Sequence, residues 1–309
     1  MHLRTLNYIA TQADEGRTVL SLLKRELACS ESHISRLKRR EAGILLEGRR
    51  CYVTARVKAG DALTIEIGDL PDGHIMPMEY PLDVRFEDED LLILNKPAGI
   101  SVHQSTRDPE EITLENAVCH YLGGLISPHP VSRLDRGTSG LIAFAKSGYI
   151  HERLRRQMHT SGYARTYLGV ACGIVLPERG EITLPIGMAE GSTYQRTICE
   201  EGQAARTEYE VLAANARFSL LRLVPHTGRT HQLRLHMAAA GFPLAGDWLY
   251  GAEDRALIAR PALHSHTLTL AHPITGEMIQ LLAELPEDMK KLIDLPKHDD
   301  KENTRRFTI

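Results

Sequence analysis

Residues 131–147 read VSRLDRGTSGLIAFAKS, and the two halves of this stretch differ in character. The first sets Arg133 and Asp135 around Leu134 and then runs into Gly-Thr-Ser-Gly, a composition that turns a chain. The second, Leu141 to Ala145, is a short continuous apolar run of the kind a buried strand shows. Asp135 therefore stands at the end of an element, where side chains face clefts.

Working outward, LLILNKP (91–97), RTYLGVACG (165–173), RTEYEVLAA (206–214) and FSLLRLVP (218–225) also read as strands. TLENAVCHYL (113–122), YIHERLRRQM (149–158) and THQLRLHMAAA (230–240) carry the helical period. Strands and helices mix without regular alternation, which predicts an α+β class with a mixed, largely antiparallel sheet rather than a doubly wound βαβ fold.

The first 70 residues have a smaller pattern of their own. VLSLLKREL (19–27) and SHISRLKRR (32–40) predict two short helices, and GILLEGRRCYVTARVKAGDALTIEI (43–67) predicts small strands joined by turns. The Pro- and Gly-rich GDLPDGHIMPMEYPLD (68–83) is the natural linker. The expected organisation is a module at 1–70, a linker at 71–82, a larger domain at 83–292 and a polar tail at 293–309.

Composition narrows the class. With 309 residues, 42% hydrophobic and 25% charged, the chain suits a globular protein of about two domains. No apolar run approaches the roughly 20 residues that cross a bilayer, so a cytoplasmic protein without a membrane partner is expected. Five scattered cysteines without a C-x-x-C argue for a reduced compartment. His226, His231 and His236 recur every five residues, which does not align them on one helix face, and no metal site is expected.

The net charge of -3 is unevenly spread. Residues 24–58 hold ten Lys and Arg against four Asp and Glu, and residues 133–165 hold seven against two. Two basic regions in an otherwise acidic chain suit a polyanion-binding surface, although a solvated helix face gives the same counts.

In order, VRFEDEDLLILNKPAGISVH, VSRLDRGTSGLIAFAKS, ARTYLGVACG, TGRTHQLRLHMAAAGFPLAGDWLYG and RPALHSHTLTLAHPITGE resemble the RluA-type pseudouridine synthases, whose hallmark is R-L-D followed shortly by T-S-G. The N-terminal ISRLKRREAGILLEG and VKAGDALTIEI resemble the alpha-L RNA-binding motif. The resemblance implies that Asp135 is the nucleophile, that Tyr167 lies against the target base and that Arg234 pairs with the aspartate. It implies that Arg133 displaces the target nucleotide. Arg136, Thr138, Arg165, Arg229, His231 and Leu233 are expected on the substrate-binding surface. Two positions depart from the family pattern, which usually has His where Ser132 stands and Lys where Arg165 stands. The partner implied is structured RNA, ribosomal RNA first and tRNA second, bound by a monomer without a small-molecule cofactor.

The chemistry supports those residue types independently. Pseudouridine formation breaks N1–C1′ and joins C5 to C1′ with no change of oxidation state, so no cofactor is required. A carboxylate suits capture of an electron-poor sugar carbon. A neighbouring guanidinium keeps it ionised and oriented. Extruding a base costs a few kcal/mol, which an inserted arginine offsets in part. Stacking on a tyrosine contributes roughly 1–3 kcal/mol. The tyrosine hydroxyl is a candidate relay for the C5 proton, attack at C1′ and at C6 both remain open, and Gly137 and Gly140 are expected to admit the nucleotide's close approach. The rivals are a non-catalytic RNA-binding assembly factor, which has no need of Asp135, and a hydrolase on Ser139 and His129, which lacks a G-x-S-x-G elbow.

Overall fold

The structure is a computed structural model that describes residues 4–69, 75–104, 110–158, 160 and 162–293. Most of the expected polar tail and residues 71–74 of the expected linker lie outside that set. The chain divides into two compact units. One comprises Met1–Arg136, Gly140–Ala164 and Thr267–Leu282, the other Gly137–Ser139, Arg165–His266 and Ala283–Ile309.

In the first unit the chain runs through β1 (Thr5–Ile9), α1 (Val19–Arg25), α2 (Glu31–Arg39), β2 (Ile44–Leu46), β3 (Arg49–Arg50) and β4 (Ala62–Glu66). The strands form an antiparallel sheet in the order β1-β4-β2-β3. Both helices start on a hydroxyl cap: Thr18 accepts from the Ser21 N–H and Ser30 from the His33 N–H. Val19, Leu22, Leu23, Ile34 and Leu37 are buried while Lys38 and Arg39 are exposed, as the helical period predicts. The expectation for this segment lacked β1. Its sequence TLNYI has no buried residue and becomes a strand through its pairing with β4.

The same unit continues with β5 (Val84–Glu87), β6 (Leu91–Lys96), α3 (Leu114–Tyr121), β7 (His129–Pro130), β8 (Ser139–Ala145) and α4 (Gly148–Gln157). Strands β5, β6 and β8 pair antiparallel, with β7 along β8. Two contacts fasten the N-terminal segment to α4. Buried Tyr149 donates its hydroxyl to the Leu27 carbonyl at 2.7 Å. The Asp69 carboxylate accepts from the first α4 amide, Gly148 N–H, and meets Arg36 at 2.6 Å and His129 at 2.9 Å. Burial opposes ionisation of Asp69, but the hydrogen bonds from His129 and Gly148 and the charge of Arg36 hold its carboxyl below the usual range.

Next in the chain come β9 (Tyr163–Cys172), β10 (Arg179–Ile182), β11 (Ile186–Met188), β12 (Arg196–Ile198), β13 (Thr207–Ala214), β14 (Phe218–Pro225), α5 (Gln232–Ala239), β15 (Leu263–Ala271), β16 (Met278–Leu282) and α6 (Glu287–Ile293). The second unit is built on antiparallel β10-β13-β14-β9, with β11–β12 as a separate hairpin. Met289, Leu292 and Ile293 of α6 join Leu168, Val170, Phe218 and Leu220 in its core. The fold is α+β with a mixed, largely antiparallel sheet, as the sequence predicts. Among the described residues no helix is long and apolar enough to cross a membrane.

Replacing Tyr149 by Phe leaves the Leu27 carbonyl only the weak Cys29 thiol, 3.9 Å away, as a side-chain donor. Urea denaturation of Tyr149→Phe should show a loss of about 1–3 kcal/mol; an unchanged midpoint would show that this hydrogen bond does not tie Leu27 to α4.

Candidate active site

The Arg133–Arg136 segment belongs to the first unit, and its side chains alternate. Leu134 is buried, Asp135 is half-buried, and Arg133 and Arg136 are exposed. The backbone just after Asp135 is pinned from the end of β6. Lys96, 1% exposed, donates its ammonium to the carbonyls of Pro97 at 2.9 Å, Ile100 at 2.8 Å and Arg136 at 3.2 Å. The Gly99 N–H also donates to the Arg136 carbonyl, at 2.8 Å. Gly99 has φ +95, a conformation that favours glycine. The Arg136 guanidinium donates to the Gly99 carbonyl and pairs with Glu111 at 3.2 Å, so in this structure it braces its own loop. Sequence reasoning missed Lys96; the available signal was a buried-type apolar run, Leu91–Leu94, that continues through Asn95 to a lysine.

The glycines of the opening stretch serve the fold. A Cβ on Gly137 would lie 2.9 Å from Pro261 Cδ, and Gly140 has φ +108. The close approach that a side chain at Gly137 would block is to the protein's own chain.

In the second unit Tyr167 sits on β9 opposite Leu223 of β14 and is buried. Arg165, two residues earlier, shares its face and is half-buried. Thr138 is buried. The turn before α5 is tied by the Gln232 side chain, whose Oε1 accepts from Thr227 Oγ1 at 2.7 Å and from the Arg229 N–H at 3.0 Å. Arg229 is exposed and donates to the Ala204 carbonyl. His231 has φ +58 and hydrogen-bonds Tyr250 through Nδ1 at 2.9 Å. Leu233 is buried.

Arg234, 5% exposed, presents its Nε and Nη2 edge to Asp247, each bond 2.7 Å long. Asp247, fully buried, also accepts from the Leu249 and Tyr250 amides. The guanidinium carbon stands 5.3 Å from the Tyr250 ring centroid. This bidentate geometry orients the arginine. Asp247 is a second residue that sequence reasoning missed, although the GDWLYG block contains it.

The spaced histidines go to separate partners: His226 to Glu208, His231 to Tyr250, and His236 to Thr207 and the Leu184 carbonyl. Among the described residues one trio, Asp88, Asp90 and His272, has metal-like spacing. His272 Nδ1 accepts from the Ile274 and Thr275 amides, which leaves the proton on Nε2, 2.9 Å from Asp88, while Arg4 pairs with Asp90 at 2.7 Å. A protonated Nε2 and a resident guanidinium make this an ion-pair cluster.

Known proteins resemble the chain along most of its length. The family model described as RNA pseudouridylate synthase matches residues 90–239. A Bacillus subtilis protein named uncharacterized RNA pseudouridine synthase YhcT is 36% identical over 294 residues, 94% of this chain and 96% of that one. Ribosomal large subunit pseudouridine synthase D of Yersinia pestis is 35% identical over 263 residues, 80% of each chain. The solved structure of human RNA pseudouridylate synthase domain containing 1 matches with a TM-score of 0.55 at 26% identity, covering 67% of this chain and 86% of that chain.

Arg234→Ala would leave the Asp247 charge buried without its countercharge, at an expected cost of about 3–5 kcal/mol in denaturant unfolding. Adding Asp247→Asn should recover part of that loss, because a neutral amide still accepts from the turn. A double variant less stable than Arg234→Ala alone would rule out the orphaned charge as the cause.

Proposed function

The chain belongs to the RNA pseudouridine synthase family, and on that premise we propose that it isomerises uridines of structured ribosomal RNA with Asp135 as nucleophile. The ribosomal reading is supported by relatives named for the large subunit, among them the Yersinia pestis protein. A second substrate class, tRNA, would use the same chemistry.

The observation that carries the proposal is Asp135 itself, a half-buried carboxylate in the R-L-D…T-S-G setting, on a loop whose next carbonyl is held by a buried lysine. Its carboxylate either attacks C1′ and displaces the base at N1, or adds to C6 before the N1–C1′ bond breaks; by either route the base turns, C5 joins C1′, the bond to Asp135 is released, and the C5 proton leaves while N1 gains one. Arg234 is assigned as the basic partner that aims Asp135. Tyr167 is assigned as the aromatic face for the extruded base and as the relay for the C5 proton. Arg133, exposed beside Asp135, is assigned to fill the space the uridine leaves. Arg136, Thr138, Arg165, Arg229, His231 and Leu233 are assigned to the substrate-binding surface around them.

Residues 1–70 are assigned as the alpha-L-type RNA-binding module and 83–292 as the catalytic domain. The support is the exposed basic set on that module, which includes Lys38 and Arg39 on α2 and the β3 pair Arg49 and Arg50. Such a set binds phosphate without reading bases and makes affinity salt-dependent.

With RNA tritiated at C5 of uridine, the wild-type protein should release label to water and Asp135→Asn should release none above background. The amide nearly keeps the shape of the acid but is a far poorer nucleophile. Release by the amide variant at the wild-type rate would overturn the assignment, and no release by the wild type would favour the binding-factor reading.

Exchanging Lys38 and Arg39 together for Gln should weaken RNA binding and flatten the plot of log K against log salt by about 0.7–0.9 for each phosphate that is no longer neutralised. An unchanged slope would remove α2 from the RNA interface.

A further inference from the structure

The turn Gly137–Ser139 follows Asp135 and Arg136 directly, and it is gripped at two points by one segment, Arg260–His264. At the first, Gly137 lies against Pro261, as the 2.9 Å approach to its Cδ shows. The Arg260 guanidinium donates from Nη1 to the carbonyls of Gly137 at 3.3 Å, Pro261 at 3.3 Å and Leu263 at 3.1 Å. Its other edge is bidentate to Asp288 of α6, at 2.7 and 2.8 Å. Arg260 is 9% exposed and is thus a fixed fork rather than a loose surface cation.

At the second point, Ser139 Oγ lies 2.9 Å from His264 Nδ1, and both residues are buried. His264 Nε2 lies 3.2 Å from the Ala283 carbonyl. A carbonyl only accepts, so Nε2 carries the ring proton and Nδ1 is left as an acceptor for the Ser139 hydroxyl proton. Burial pushes the imidazole pKa down to about 4, which keeps this tautomer neutral at physiological pH. Folding alone requires neither grip to end on the turn beside a nucleophile. A reacting carboxylate does, because a displacement of about 1 Å costs on the order of 100-fold in rate.

We propose that Arg260 and His264 are positioning residues for the reaction, holding the backbone that follows Asp135 through Gly137 and Ser139; this rests on Asp135 being the nucleophile. Neither touches the substrate. Asp288 supports them at one remove by fixing Arg260.

The test compares Ser139→Ala, His264→Leu, their double variant, His264→Gln and Arg260→Met with the wild type and Asp135→Asn. For each, single-turnover tritium release, RNA affinity and circular dichroism are measured well below the melting temperature. Ser139→Ala, His264→Leu and Arg260→Met should slow release by about 10- to 100-fold. RNA affinity, spread over many phosphates, should stay within about twofold. The double variant should be no slower than the slower single, since both remove one hydrogen bond. His264→Gln should restore most of the rate, because an amide accepts from Ser139 and donates to the Ala283 carbonyl. Should His264→Leu fail to fold, Ser139→Ala, which deletes a single oxygen, carries the test. Near-normal rates in Ser139→Ala and Arg260→Met with a silent Asp135→Asn would overturn the positioning role and leave the nucleophile standing. Rate losses that follow a drop in folded protein or in affinity would reduce both residues to structural ones. An active Asp135→Asn would overturn both assignments.

Discussion

The ammonium of Lys96, buried among the carbonyls of Pro97, Ile100 and Arg136, is the constraint on which the candidate site depends. A charge withdrawn from water is costly unless its donors are met, and here backbone carbonyls meet them. Meeting them imposes a shape. The chain must curl after β6 so that two of its carbonyls point back, Gly99 must take a left-handed conformation, and the Arg136 carbonyl must come to the same point. Asp135 inherits its position from that curl. Arg136 and Glu111 brace it from the solvent side.

Legibility in the sequence followed the range of the forces involved. Strands β6, β8 and β14 carry dominant apolar runs, and α1 and α2 begin on capping hydroxyls, so local pattern sufficed to find them. Strand β1 depends on a partner far along the chain, and the three-residue strands of the β11–β12 hairpin are too short to show a period. Helix α6 is only seven residues long and is defined by packing against β14. The candidate site residues Asp135, Tyr167 and Arg234 were read from motifs. What the motifs do not disclose is which distant groups meet around the backbone after Asp135: Lys96 reaches across 40 positions, Arg260 across 123 and Ser139 across 125. No periodicity encodes which distant polar group a side chain will meet.

Charge counting along the chain likewise overstated one region and understated the distinction between the two. Of the basic residues at 133–165, Arg136 faces Glu111, Lys146 faces Glu87, and Arg155 and Arg156 share Glu152. In the first region Arg36 and Arg40 are turned inward to Asp69 and Glu66. Lys38, Arg39, Arg49 and Arg50 are exposed. A charge already paired contributes little to a long-range field, so the surface potential of the first unit is set by fewer residues than its composition suggests.

Asp69 closes the segment that composition marks as a module and opens the one it marks as a linker. Its bonds to the first amide of α4, to His129 and to Arg36 make that seam a fastened joint. Protection of amides from hydrogen exchange follows cooperative units rather than gene-like boundaries. Amides of α2 and those at the start of α4 are therefore expected to open together, so the border that composition draws near residue 70 is not a border in the stability of the chain.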